Sequence, residues 1–323
     1  MNVNFKLVWF EDEDSSYDAY CEELISIIKS FFLIPDIKRY RDFSCDLDVI
    51  KDADLILADY DLGTDNSVNL IHNFIRSNEI VIDALMYSSK YDRMVSEIQA
   101  VNPLLEGVFC AKRGTNDLTG KFSSLVYRIV KRAQSIENLR GMVMEYSSVF
   151  DQKISSLIQK FAGSDLFNPI IKYINDKIEE NKKRNIFKAC NKKGSNCYNN
   201  CEKFVKKCNS KSGCCYSTTV IDLKDLEKYE PSDRSRILGF ILKELIKKGI
   251  IKEEDSYKNF HKNFNSDIII YRNALAHQKS DENKLYIQAT KQFIEINDSL
   301  FSRIKGSIVE YIEFFKYLES VSL

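Results

Sequence analysis

Residues 54–63 read Asp-Leu-Ile-Leu-Ala-Asp-Tyr-Asp-Leu-Gly, an apolar run, Leu55–Ala58, that ends on the carboxylate of Asp59. A run this short and this apolar fits a strand buried on both faces. Runs of the same kind lie at Lys6–Phe10, Ala84–Tyr87 and Val108–Ala111, and each is followed at once by polar groups: Glu11 and Asp12, Ser88, and Lys112. Amphipathic stretches separate them, at Tyr17–Phe32, Ser67–Asn78, Arg93–Val101 and Thr119–Ala133. The alternation predicts a doubly wound α/β domain over residues 1–132, with a five-stranded parallel sheet whose remaining strand is placed at Asp36–Tyr40. In such a sheet, residues just past the carboxyl ends of the strands share one crevice. That crevice would hold three carboxylates, a hydroxyl and an ammonium.

These residue types suit a phosphoryl-accepting aspartate. A carboxylate nucleophile attacks the phosphorus of a donor and gives an acyl phosphate. Glu11, Asp12 and Asp59 would together hold Mg²⁺, a hard cation that prefers oxygen ligands and shields the repulsion between carboxylate and phosphoryl group. Lys112 offers a point positive charge to one phosphoryl oxygen and Ser88 a hydrogen bond to another.

Residues 5–130 resemble the receiver domain of two-component response regulators. Lys6-Leu-Val-Trp-Phe-Glu-Asp-Glu13 is similar to the family's first strand and acidic pair, with Glu11 in place of the commoner Asp. The stretch at 54–63 resembles its nucleophile strand, which implies Asp59 as phosphoacceptor. Ala84–Lys90 supplies the switch hydroxyl at Ser88, and Gly107–Lys112 the switch aromatic at Phe109 and the lysine at Lys112. Arg113 stands where the family usually has Pro, a departure expected to affect the following loop more than the chemistry. The resemblance implies a flavodoxin-like fold, Mg²⁺, and a histidine kinase or phosphorelay protein as phosphodonor.

The second half has another character. Hydrophobic content of 44% with 29% charged residues, in a chain of 323 residues, is that of a globular protein of two domains. No apolar run approaches the roughly 18–20 residues that span a bilayer, and the start lacks the basic and apolar regions of a signal peptide. A cytoplasmic location, with thiols rather than disulfides, is the expectation. The formal net charge of zero hides an asymmetry, because residues 1–110 hold 21 acidic and 9 basic side chains while residues 172–216 hold 4 acidic and 12 basic. A basic segment of this kind fits either a polyanion site or a solvated surface.

From Phe122 to about Phe161 breakers are nearly absent, so the last receiver helix is expected to continue into a connecting helix over 133–164. Its apolar positions Leu125, Ile129, Ile136, Leu139, Met142 and Val143 recur at threes, fours and sevens, which suits pairing with a second copy or packing on its own domain. Residues 165–323 are expected to be all-α. Ser232 is placed as N-cap of a helix over 233–248 carrying the stripe Ile237, Leu238, Ile241, Leu242 and Leu245, which Gly249 ends. One or two further helices are expected over 284–318.

Within this half, Arg272-Asn-Ala-Leu-Ala-His277 carries chemistry. Histidine is the usual acid or base near neutral pH and arginine the usual clamp on a pentavalent phosphate. Together they suit metal-independent RNA cleavage with the 2′-hydroxyl as internal nucleophile. On a regular helix Asn273 and His277 share a face, whereas Arg272 and His277 lie about 140° apart. A site using both needs a distorted or fraying turn, or two chains meeting. The segment resembles the Arg-x(4–6)-His signature of HEPN domains, all-helical modules of many bacterial toxin and defence ribonucleases that typically act as homodimers. The resemblance implies Arg272, Asn273 and His277 as catalytic residues and RNA as substrate, with Asp233, Glu244 and Asp267 as unranked candidates for an accessory polar group. The rival reading is a non-catalytic dimerisation or partner-binding module.

A Cys- and Lys-rich insertion at 181–216 holds six of the nine cysteines. Only Cys197-x₃-Cys201 has common zinc-ligand spacing. A structural Zn²⁺ on Cys197, Cys201, Cys208 and Cys214, free thiols, and redox sensing are its three readings.

Overall fold

A computed structural model describes residues 3–63, 65–66, 68, 80–101, 107–162, 231–252, 255–277 and 284–322. All but Val68 of the helix expected over 67–78 lies outside the described residues, as do the cysteines of the 181–216 segment and His72. The described chain forms two compact units. The first comprises Met1–Met144 and Arg272–Ile312, the second Glu145–Tyr271 and Glu313–Leu323.

The first unit is built on five parallel strands: β1 (Asn4–Phe10), β2 (Ile34–Tyr40), β3 (Leu55–Asp59), β4 (Ala84–Ser88) and β5 (Val108–Lys112). Their order is β2-β1-β3-β4-β5, so the order reverses between β1 and β3, the switch point at which doubly wound sheets bind their ligands. Every residue of β3 and β4 is buried, as continuous apolar runs predict. One face packs Leu7, Trp9, Leu57, Leu85 and Tyr87 against Leu24, Phe122 and Val126; the other packs Val8, Phe10, Ile56, Ala58 and Met86 against Ile50 and Met94. The strand β2 is an edge, only half-buried, and carries Pro35, Lys38 and Arg39. Proline and charge are tolerated on an edge, where one side of the ladder is open.

The expected unbroken helix is in fact two, Asn116–Arg132 and Ile136–Ala162. Ser135 supplies the break without help from Gly or Pro. Its Oγ accepts from Asn138 N at 3.2 Å and its carbonyl accepts from Leu139 N at 2.9 Å, while Asn138 Nδ2 donates back to Ala133 O at 2.9 Å. That is an N-cap, and it starts a new helix.

The expectation of further helix beginning at 284 is also corrected. Lys284–Ile287 and Gln292–Glu295 form an antiparallel hairpin. Lys284-Leu-Tyr-Ile alternates exposed and buried with period two, the strand period, and Lys291 takes a left-handed φ of 56° in the turn. Helix Asp298–Ser320 follows. Within the first unit Gly306 lets this helix approach Phe32, because a Cβ there would lie 3.1 Å from the Phe32 ring. Lys131 and Asp298 form an ion pair.

The same helix buries Lys305, which is 3% exposed. Burial, only partly opposed by Asp298, pushes its ammonium down to about 8 from 10.5. Below pH 8 the folded chain must keep a buried charge. Between pH 8 and 10.5 only the unfolded chain holds that proton, so stability rises with pH across this window. Lys305→Met is therefore expected to stabilise the protein at pH 7 by about 1–3 kcal/mol. Its advantage over the wild type should shrink in urea melts run from pH 8 to 10.

In the second unit a helix is described over Pro231–Lys247, so Ser232 lies within it and is not its N-cap. The predicted stripe from Ile237 to Leu245 is buried. Gly249, at φ 68°, ends the helix with Ile250 N donating to Leu245 O at 3.0 Å. Phe150 fills the core, its ring 5.3 Å from that of Phe315 and 6.2 Å from that of Phe264. Beside it Arg234 pairs with Asp151.

Candidate functional site

The carboxyl ends of β1, β3 and β4 bring Glu11, Asp59 and Ser88 to one crevice, 0%, 3% and 1% exposed. Ligand oxygens of Glu11, Asp12 and Asp59 lie within 4.8 Å of one another. All are hard oxygen donors, and Oδ1 of Asp12 is shut from solvent with no hydrogen-bond partner among the described residues. A shielded oxygen without a donor fits a cation better than water or a protein N–H. The cluster can therefore hold a metal ion.

The crevice is wired from below. Trp9 Nε1 donates to Tyr87 Oη at 2.7 Å, and Tyr87 Oη donates to Glu11 Oε2 at 2.5 Å. Burial, then the Glu11 charge, pushes the Tyr87 phenol up, so it stays a donor. The other Glu11 oxygen accepts from Glu13 N at 3.0 Å. Burial pushes the Asp59 carboxyl up to about 7; Arg113 opposes that rise and Glu11 adds to it.

Arg113, which the sequence assigned to loop geometry, sits in the chemistry instead. Its guanidinium pairs with Asp59 Oδ2, lies 3.3 Å from Glu11 Oε2 and 3.4 Å from Glu13 Oε2, and stands 5.3 Å from the centroid of the Tyr87 ring. Lys112, the expected point charge, has an exposed side chain that makes no ion pair among the described residues. Its backbone N–H donates to Asp117 Oδ2 at 2.8 Å. Ser88 Oγ accepts from Lys90 N at 2.8 Å. Phe109 is half-buried, with the Arg128 guanidinium 4.5 Å over its ring.

Arg272 and Asn273 fall on a short helix, Ile270–Ala276, that follows a π-helical turn at Asn265–Ile269, and His277 is the residue after it. Arg272 is half-buried, Asn273 and His277 are exposed, and His277 lies one residue past the helix end. The ideal 140° separation therefore does not bind His277. Asp233 pairs with Arg236 at 3.6 Å, Glu244 pairs with Lys247, and Asp267 accepts from Ser266 Oγ at 2.9 Å.

His261 has a partner in the fold. Its Nδ1 is 2.8 Å from the Oγ of buried Ser235. With Arg236, Lys243, Lys258 and Lys262 it lines a cavity of about 270 Å³ in the second unit.

Among the described residues, no helix is long and apolar enough to cross a membrane. No protein-family model matches the sequence, and no curated protein matches it.

Proposed function

We propose that the chain is a cytoplasmic signalling effector switched by phosphorylation at Asp59. The observation that carries this reading is the meeting of Glu11, Asp12 and Asp59 at the switch point of a five-stranded parallel sheet, with Ser88 at the end of the next strand. An Asp59 carboxylate oxygen attacks the phosphorus of a phosphohistidine or acyl phosphate. A new P–O bond forms while the bond to the donor breaks and its electron pair leaves with the donor. Mg²⁺ held by Glu11, Asp12 and Asp59 would neutralise charge on the phosphoryl oxygens. Ser88 Oγ then donates to one of those oxygens and Lys112 swings in to pair with another. The backbone around Ser88, Phe109 and Lys112 carries the change onward.

For the output we propose metal-independent cleavage of RNA by a HEPN-like homodimer. Exposed His277 moves protons, half-buried Arg272 stabilises the pentavalent phosphate, and Asn273 orients them. The cationic cavity around His261 supports a polyanionic partner for the second unit. The test is incubation of purified protein with total RNA in EDTA. Site-specific fragments are expected; intact RNA at every enzyme concentration would move the output to a partner-binding module.

One observation favours a second reading of the receiver. Arg113 already supplies a positive charge to Asp59 and Glu11, as in a domain that serves as a docking surface without phosphate. Under that reading wild type and Asp59→Asn give the same output with and without a phosphodonor.

A further inference from the structure

The acidic crevice comes with a cation of its own. Arg113 contacts two of the three carboxylates that would ligate a divalent ion. The contact is built in by the surrounding backbone. Arg113 N donates to Ser88 O at 2.9 Å, which fixes the residue beside the end of β4. Gly114 then turns the chain with φ 79° and donates to Tyr20 Oη at 2.9 Å. The Tyr87 ring backs the guanidinium, and Tyr87 itself is held by Trp9 and Glu11.

We propose that Arg113 is a resident counter-cation and that it and a divalent ion exclude one another. A hard ion takes carboxylate oxygens at about 2.0–2.6 Å, and it would draw them from Asp59 and Glu11, the two carboxylates that Arg113 contacts. Two cations on the same carboxylates in a crevice this buried repel strongly. Binding of the ion therefore drives Arg113 out. The turn that carries it lies between Lys112 and Thr115, and the Thr115 side chain accepts from Asp117 N at 3.3 Å to cap helix Asn116–Arg132. Cation binding thus moves the Lys112–Thr115 turn before any phosphate arrives. Phosphorylation becomes conditional on a prior exchange of cations, and the apparent ion affinity is lowered by the scarcity of the Arg113-out state. The inference rests on the proposed receiver site and deepens it.

The test uses the full chain and Mn²⁺ as probe. The chain has one tryptophan, and Trp9 is joined through Tyr87 to Glu11, so its emission reports on the crevice. Mn²⁺ is titrated into wild type, Arg113→Ala and Arg113→Gln, following Trp9 emission and the thermal midpoint. At least ~10-fold tighter binding is expected in both variants. Without ion their midpoints should fall below that of wild type, and Mn²⁺ should raise them by more. The Gln variant keeps a hydrogen-bonding side chain and covers the case in which Ala does not fold. Equal affinity in all three proteins overturns the exclusion while leaving a cation site in place. No binding in any of them overturns both the exclusion and the cation site. Labelling of wild type by acetyl phosphate, measured beside these titrations, reports separately on whether the receiver accepts phosphate.

Discussion

Asp59→Asn is expected to abolish covalent uptake of phosphate from acetyl phosphate, while the fold stays intact. The amide is nearly the same size and shape as the carboxyl, so the packing of β3 between β1 and β4 is preserved. What is lost is the nucleophile. Of the carboxylates nearby, Glu11 is committed to Tyr87 Oη and Glu13 N, and Asp61 pairs with Lys90 at 3.0 Å. The substitution also removes a buried negative charge that Glu11 disfavours, so the melting temperature should hold or rise slightly. The intact mass after incubation with acetyl phosphate and Mg²⁺ checks this. A phosphoryl adduct on the Asn variant would place the acceptor elsewhere.

His277→Ala is expected to reduce RNA cleavage by about 10²–10⁴-fold, the usual worth of a positioned acid or base. The side chain is exposed and lies beyond the helix end, so stability should change by less than about 0.5 kcal/mol. That separation is diagnostic, because activity falls and the melting temperature does not. Arg272 is half-buried, so Arg272→Ala would confound loss of charge with loss of packing. Gel analysis of total RNA against time, in EDTA, measures the effect. Equal cleavage by wild type and the His277 variant would remove the HEPN-like reading.

The parts of the fold legible in the sequence were those that burial dictates. β1, β3 and β4 show as apolar runs because both faces of a parallel sheet are covered, and their last residues mark the crevice. β2 was fainter because an edge strand keeps Lys38 and Arg39. The break at Ser135 was hidden, since serine inside a helical pattern and serine as an N-cap look alike until Asn138 and Leu139 bond to it. The hairpin over 284–295 was missed because a four-residue alternation is too short to stand out between helical patterns.

In the site, residue types and strand ends sufficed to place Glu11, Asp12, Asp59 and Ser88. Tyr87 and Arg113 were beyond that reach. Tyr87 meets Glu11 across 76 positions of chain, and nothing local tells a strand tyrosine which way its hydroxyl will find an acceptor. Arg113 stood out only as a missing proline. Its direction is set by the Gly114 turn and by the carboxylates of Asp59 and Glu11, 54 and 102 positions away.

The most direct test of the account is RNA cleavage by wild type and Asp59→Asn, each with Mg²⁺ and with or without acetyl phosphate. Acetyl phosphate is expected to change the rate of the wild type and to leave the Asn variant unmoved. Identical rates in all four reactions would contradict it.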